Sequence, residues 1–112
     1  MPLTAVAGRV DRTAPFDGGN GLLGQRAWFE RIARSVQGCH AMASPSALSD
    51  NVDSSVGDRC GACTELLVLG DGSHTWPGTS VGNEGLNPGE FDLNRRIVAD
   101  MLAPDPGCLS SR

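Results

Sequence analysis

The segment Thr64–Gly70, TELLVLG, sets the tightest limit on what this chain can build. Its centre, Leu66–Leu69, is an unbroken apolar run, where a strand with one wet face would alternate apolar and polar residues. Such a strand is buried on both faces, as in parallel sheets covered by helices above and below. The rest of the chain must therefore supply a neighbouring strand and covering helices. Leu3–Ala7, LTAVA, reads as a second short buried strand. Between Gln25 and Val36, residues Trp28, Ile32 and Val36 fall four apart with Phe29 and Ala33 beside them, which predicts an amphipathic helix stopped by Gly38. Asp92 reads as the cap of a second helix, with Leu93, Ile97, Val98, Met101 and Leu102 as its apolar stripe and Pro104 and Pro106 past its end.

The remainder is punctuation. Glycine (15) and proline (7) together make 22 of the 112 residues, so long loops are expected. Residues 39–62, rich in serine and aspartate without a sustained period, read as loop, and so do residues 71–91. The order is strand, loop, helix, loop, strand, loop, helix in one domain over residues 1–112, with 103–112 as a tail. Two parallel strands and two helices are few for an independent α/β domain.

A net charge of -4 with no basic stripe argues against nucleic acid and anionic membranes as partners. No apolar run approaches membrane-spanning length. Four cysteines in so short a chain point to an oxidising compartment. Yet the opening residues, MPLTAVAGRVDR, lack the layout of a signal peptide. Together these imply that the chain is the tail of a longer exported protein, extracellular or periplasmic.

In open parallel sheets the functional groups stand on loops just past the carboxyl ends of strands. Asp11 follows the first strand by four residues and His74 follows the second by five. A carboxylate orienting an imidazole that moves protons is a standard general-base pair. Taken singly, Asp11 is equally a turn residue and His74 an ordinary loop histidine. Cys60-Gly-Ala-Cys63 has the spacing of half a zinc site or of a redox pair, with Cys39 and His40 as further candidate donors.

Two segments, AGRVDRTAPFDGG and GDGSHTWPG, together resemble the polyhydroxybutyrate depolymerase family of α/β-hydrolase esterases, which includes feruloyl and acetylxylan esterases. Asp11, Pro15, Phe16, Gly18, Gly19, Trp28, Cys39, Cys60, His74, Trp76, Pro77 and Gly78 fall in the family's order, and His-Thr-Trp-Pro-Gly is the most specific part. Ala7 and Arg9 stand where the family has His and Thr, and Ser73 where it has Gly. The resemblance implies the carboxy-terminal portion of an α/β-hydrolase fold, with Asp11 as triad acid, His74 as triad base and Trp76 lining the cleft. It implies a Cys39–Cys60 disulfide, with Cys63 as the alternative partner and Cys108 left unpaired. The substrate class it implies is an ester, either a polyester or an acylated polysaccharide, with no cofactor and no metal.

That fold needs a Gly-x-Ser-x-Gly nucleophile elbow ahead of the aspartate and histidine. None precedes Asp11, and the one literal match, GTSVG at Gly78–Gly82, follows the histidine and lacks a strand before it. The serine is therefore expected outside this chain. The rival expectation is a non-catalytic fragment or a small disulfide-stabilised secreted module.

Overall fold

The apolar run does become the centre of the molecule, with a different set of neighbours from those the sequence suggests. The computed structural model describes residues 1–19, 21–70, 93–102 and 108. Its elements are β1 (Leu3–Gly8), α1 (Gln25–Ser35), β2 (Ala41–Met42), β3 (Ser46–Ser49), β4 (Val52–Asp58), β5 (Thr64–Leu69) and α2 (Leu93–Leu102). The strands form one sheet in the order β1-β5-β4-β2, with β3 also paired to β4. Strands β1 and β5 run parallel, with Leu3 opposite Thr64 and Gly8 opposite Leu69. The other three pairings, β4 with β5, β3 and β2, are antiparallel.

The expected α/β-hydrolase portion with a parallel sheet is therefore overturned. The sheet is mixed and mostly antiparallel, and it is richer in strand than expected. The difference arises in residues 39–62, read from sequence as loop, which contribute three strands. Along β4, Val52, Ser54 and Val56 point to one face while Ser55 and Gly57 point to the other. Serine stands in for apolar residues there, so the alternation that would reveal a strand is hidden.

Every residue of β5 is buried. Leu66 and Val68 face a core with Ala7, Phe16, Phe29 and Ala33, which places α1 on this side of the sheet. Leu67 and Leu69 face a second core with Val52 and Leu93, and Val6, Leu48 and Ile97 border it, which places α2 on the other side. Both helices form where the periodicity puts them, but each presents a different stripe. In α1, Phe29 and Ala33 are buried, whereas Trp28 and Val36 are 44% and 69% exposed. In α2, Leu93 and Asp100 are buried while Val98, Met101 and Leu102 are exposed. The cap residue Asp92 lies outside the described residues.

Two disulfides close the fold, Cys39–Cys60 and Cys63–Cys108. Cys108 is thus paired, contrary to the expectation of a lone thiol in the tail. Cys60 and Cys63 belong to different cores, Cys60 with Phe29 and Leu66 and Cys63 with Cys108 and Val56. That separation rules out the two acting together as a CxxC redox pair in this state. Gly57 makes room for the first disulfide: a Cβ there would collide with Cys60 Sγ and lie 2.7 Å from Cys39 Sγ. None of the helices among the described residues is long and apolar enough to cross a membrane.

Candidate functional site

The parallel pair β1–β5 determines where Asp11 stands. Its carboxyl ends are in register, and Arg9 N–H donates to the Leu69 carbonyl at 3.0 Å just beyond the last pair. The chain then turns, with Asp11 N–H donating to the Gly8 carbonyl at 3.3 Å. Asp11 is buried, and its Oδ1 accepts from the backbone N–H groups of Thr13 and Ala14, each at 2.8 Å. These bonds turn the chain around the carboxylate and hold Oδ1 fixed.

The rest of this loop is tied to α1. Gln25 Nε2 donates to the Ala14 carbonyl at 3.0 Å, and Gln25 N–H donates to the Phe16 carbonyl at 2.8 Å. Phe16 is buried in the core on the α1 side. Gly18 has φ +90°, and a Cβ there would lie 3.1 Å from Gly24 N and 3.2 Å from the Leu22 carbonyl oxygen. Glycine is required on both counts, backbone conformation and space. The Pro-Phe-Asp-Gly-Gly stretch thus folds back on itself and fixes the Asp11 turn against the helix.

A cleft of about 600 Å³ opens beside this loop, lined by Arg9, Phe16, Leu23, Arg26, Glu30 and Pro45 among others. The Arg9 guanidinium sits over the Phe16 ring, 4.7 Å from its centroid. Arg26 NH1 donates to Ser55 Oγ at 3.2 Å. The cleft combines an aromatic wall with charges of both signs, so it can take a partly apolar ligand bearing polar groups.

His74 and Trp76 lie outside the described residues, as does the GTSVG stretch containing Ser80. Their carrier strand β5 ends at the same edge of the sheet as β1. Cys39 and Cys60, the remaining site residues, are joined to each other beneath α1. His40 beside them is exposed, and its N–H donates to the Asp58 carbonyl at 2.9 Å.

A second polar cluster was not anticipated. Glu65 and Asp100 are both fully buried on the α2 side of the sheet. Arg96 grips Glu65 with two bonds, Nε to Oε1 at 3.0 Å and NH2 to Oε2 at 2.5 Å. Ser54 Oγ also donates to Glu65 Oε2. Thr4 Oγ1 donates to Asp100 Oδ2 at 3.0 Å, which links α2 to β1. Burial raises the Glu65 pKa, but hydrogen bonds with Arg96, Asp100 and Ser54 and the guanidinium charge outweigh it, so the carboxyl lies below its usual 4.5. The same ion pair holds Arg96 above its ordinary value despite its own burial. One sequence signal exists: Glu65 directly precedes the apolar run of β5, and Arg96 and Asp100 are four apart on one helix face. Among the described residues, the Arg96–Glu65 and Thr4–Asp100 contacts fasten α2 to the sheet.

No model of a known protein family matches the chain, and comparison with curated proteins and with solved structures likewise finds no match.

Proposed function

We propose that this chain supplies the acid and base of a serine ester hydrolase resembling polyhydroxybutyrate depolymerases. Asp11 orients the His74 imidazole, and the imidazole takes the proton from a serine hydroxyl contributed by a segment outside these 112 residues. The serine attacks the ester carbonyl, His74 returns the proton to the leaving alcohol, and water then releases the acyl group by the same relay. The observation that carries the reading is the in-register parallel pair β1–β5. The buried, hydrogen-bonded Asp11 turn leaves β1 at the same end at which β5 finishes, and His74 follows four residues after Gly70 in sequence. Substrates in this reading are polyesters or acylated polysaccharides, with Trp76 lining the cleft. Export to an extracellular or periplasmic location agrees with the two disulfides.

A second reading also has an observation in its favour. A mostly antiparallel sheet with both pairs of cysteines oxidised suits a small disulfide-stabilised module with no activity of its own. The two readings separate on hydrolysis of p-nitrophenyl butyrate. The isolated chain is expected to show no serine-dependent turnover, because no Gly-x-Ser-x-Gly precedes Asp11 in its sequence. Joined to an upstream segment carrying Gly-x-Ser-x-Gly, it should turn over substrate, and both His74→Ala and Asp11→Ala should abolish the gain. Turnover that survives His74→Ala would reject the triad, and loss of turnover of the isolated chain in Ser80→Ala would move the nucleophile to GTSVG.

A further inference from the structure

We propose that the reduced chain binds a thiophilic divalent cation, zinc above all, through Cys63, Cys108 and Asp100. The donor atoms of these three residues lie within 4.8 Å of one another, and all three residues are buried. No other trio of histidine, cysteine or carboxylate donors is so grouped among the described residues. In the oxidised chain the two sulfurs are bonded to each other. The cation site therefore exists only after that bond opens, and it is independent of the ester-hydrolase reading.

The geometry suits zinc. Tetrahedral zinc with sulfur at about 2.3 Å and oxygen at about 2.0–2.2 Å sets its ligands roughly 3.5–3.8 Å apart. Once the disulfide is cleaved, the sulfurs need only separate to about that distance, which is within the present span of the cluster. Two soft thiolates and a carboxylate make a donor set for zinc rather than for calcium or magnesium. Three protein ligands leave the fourth position to water.

The chemistry balances. A dithiol reductant gives two electrons and two protons to the Cys63–Cys108 bond and leaves as its own disulfide, so that two thiols remain. Zinc then displaces both thiol protons to solvent and binds the thiolates. Two bare thiolates would be costly beside the buried Glu65 and Asp100. The two positive charges of zinc cancel those of the thiolates, so the cluster keeps the net charge it has with the disulfide intact. In either redox state Cys108 stays fastened to the amino end of β5, and α2 keeps its anchor. The Cys39–Cys60 pair has no such third donor among the described residues and sits among Phe29, Ala33 and Leu66.

The test uses the full chain, reduced anaerobically with a water-soluble phosphine, which takes oxygen from water as it gives electrons to the disulfides. Cobalt(II) is titrated as the spectroscopic probe and then displaced with zinc. One equivalent of cobalt with a thiolate-to-metal charge-transfer band is expected in the reduced chain, and none in the oxidised chain. Cys63→Ser/Cys108→Ser should remove the band. Asp100→Asn, which retains an acceptor for Thr4, should weaken binding by about 10-fold or more. Circular dichroism is followed in parallel, so that a reduced chain that loses its fold is expected to regain it with one equivalent of cobalt. Absence of uptake by the reduced chain, equal uptake by the oxidised chain, or a band that persists in Cys63→Ser/Cys108→Ser would each overturn the proposal.

Discussion

Glu65→Ala is expected to destabilise the fold by about 3–5 kcal/mol, the usual cost of removing one partner from a buried ion pair. The Arg96 guanidinium, with its side chain only 13% exposed, would lose both of its bonds to Glu65, and Ser54 would lose its acceptor. The charge, rather than the lost volume, should dominate. Glu65→Gln/Arg96→Met keeps an acceptor for Ser54 and removes both charges, so it should recover most of the loss, because apolar replacement of a buried pair is often neutral. Urea denaturation of Glu65→Gln, Arg96→Met and the double variant measures the coupling. The pH dependence has a definite sign. The folded-state pKa of Glu65 is depressed, so its contribution is fully present above the ordinary value of 4.5 and is lost as pH falls below it. Wild-type stability should therefore drop below about pH 4.5, and Glu65→Gln should flatten that drop.

The second large effect concerns the cross-links. Cys63–Cys108 joins residues 45 apart and Cys39–Cys60 joins residues 21 apart. On the chain-entropy account the longer link restricts the unfolded chain more, by about 4 kcal/mol against about 3.3 kcal/mol. Cys63→Ser/Cys108→Ser should therefore lower stability more than Cys39→Ser/Cys60→Ser, with both measured by urea denaturation in metal-free buffer. The reverse order would mean that packing around Cys39 and Cys60, among Phe29, Ala33 and Leu66, matters more than loop closure. Neither substitution alters the residues assigned to proton transfer.

How much of this was legible in the sequence depends on what carries the burial. Leu66–Leu69 announced a strand covered on both faces because apolar residues do the covering, and the strand is buried throughout. The two helices were found for the same reason, since their periodicity survives wherever leucine, isoleucine and phenylalanine line one side. The register of those stripes differs from the pattern. Asp100 and Arg96 occupy inward positions of α2 because partners from β5 and β1 satisfy them, and a hydropathy pattern reads such residues as outward. Val98 and Met101, which the periodicity places in the apolar stripe, therefore lie exposed.

Strand β4 was missed on similar grounds. Ser54 and Ser55 are buried with hydrogen bonds to Glu65 and Arg26, so the serine-rich stretch that reads as loop is an interior strand. Its antiparallel pairing with β5 is what converts the expected parallel fragment into a mixed sheet. The Asp11 turn is legible because its cause is local: a short carboxylate side chain accepting from the backbone amides two and three residues on, those of Thr13 and Ala14. The partner of Cys63 was not readable, because spacing alone does not tell which core a cysteine enters.

The proposed ester hydrolase requires Asp11 and His74 to form one hydrogen-bonded pair. The most direct measurement is the long-range proton–nitrogen correlation spectrum of the imidazoles in the full chain, with His74 assigned by its loss in His74→Gln. A strongly deshielded Nδ1–H signal from His74, absent in Asp11→Asn while the His40 signals stay in place, is the predicted result. A His74 imidazole whose signals are the same with and without the Asp11 carboxylate would contradict it.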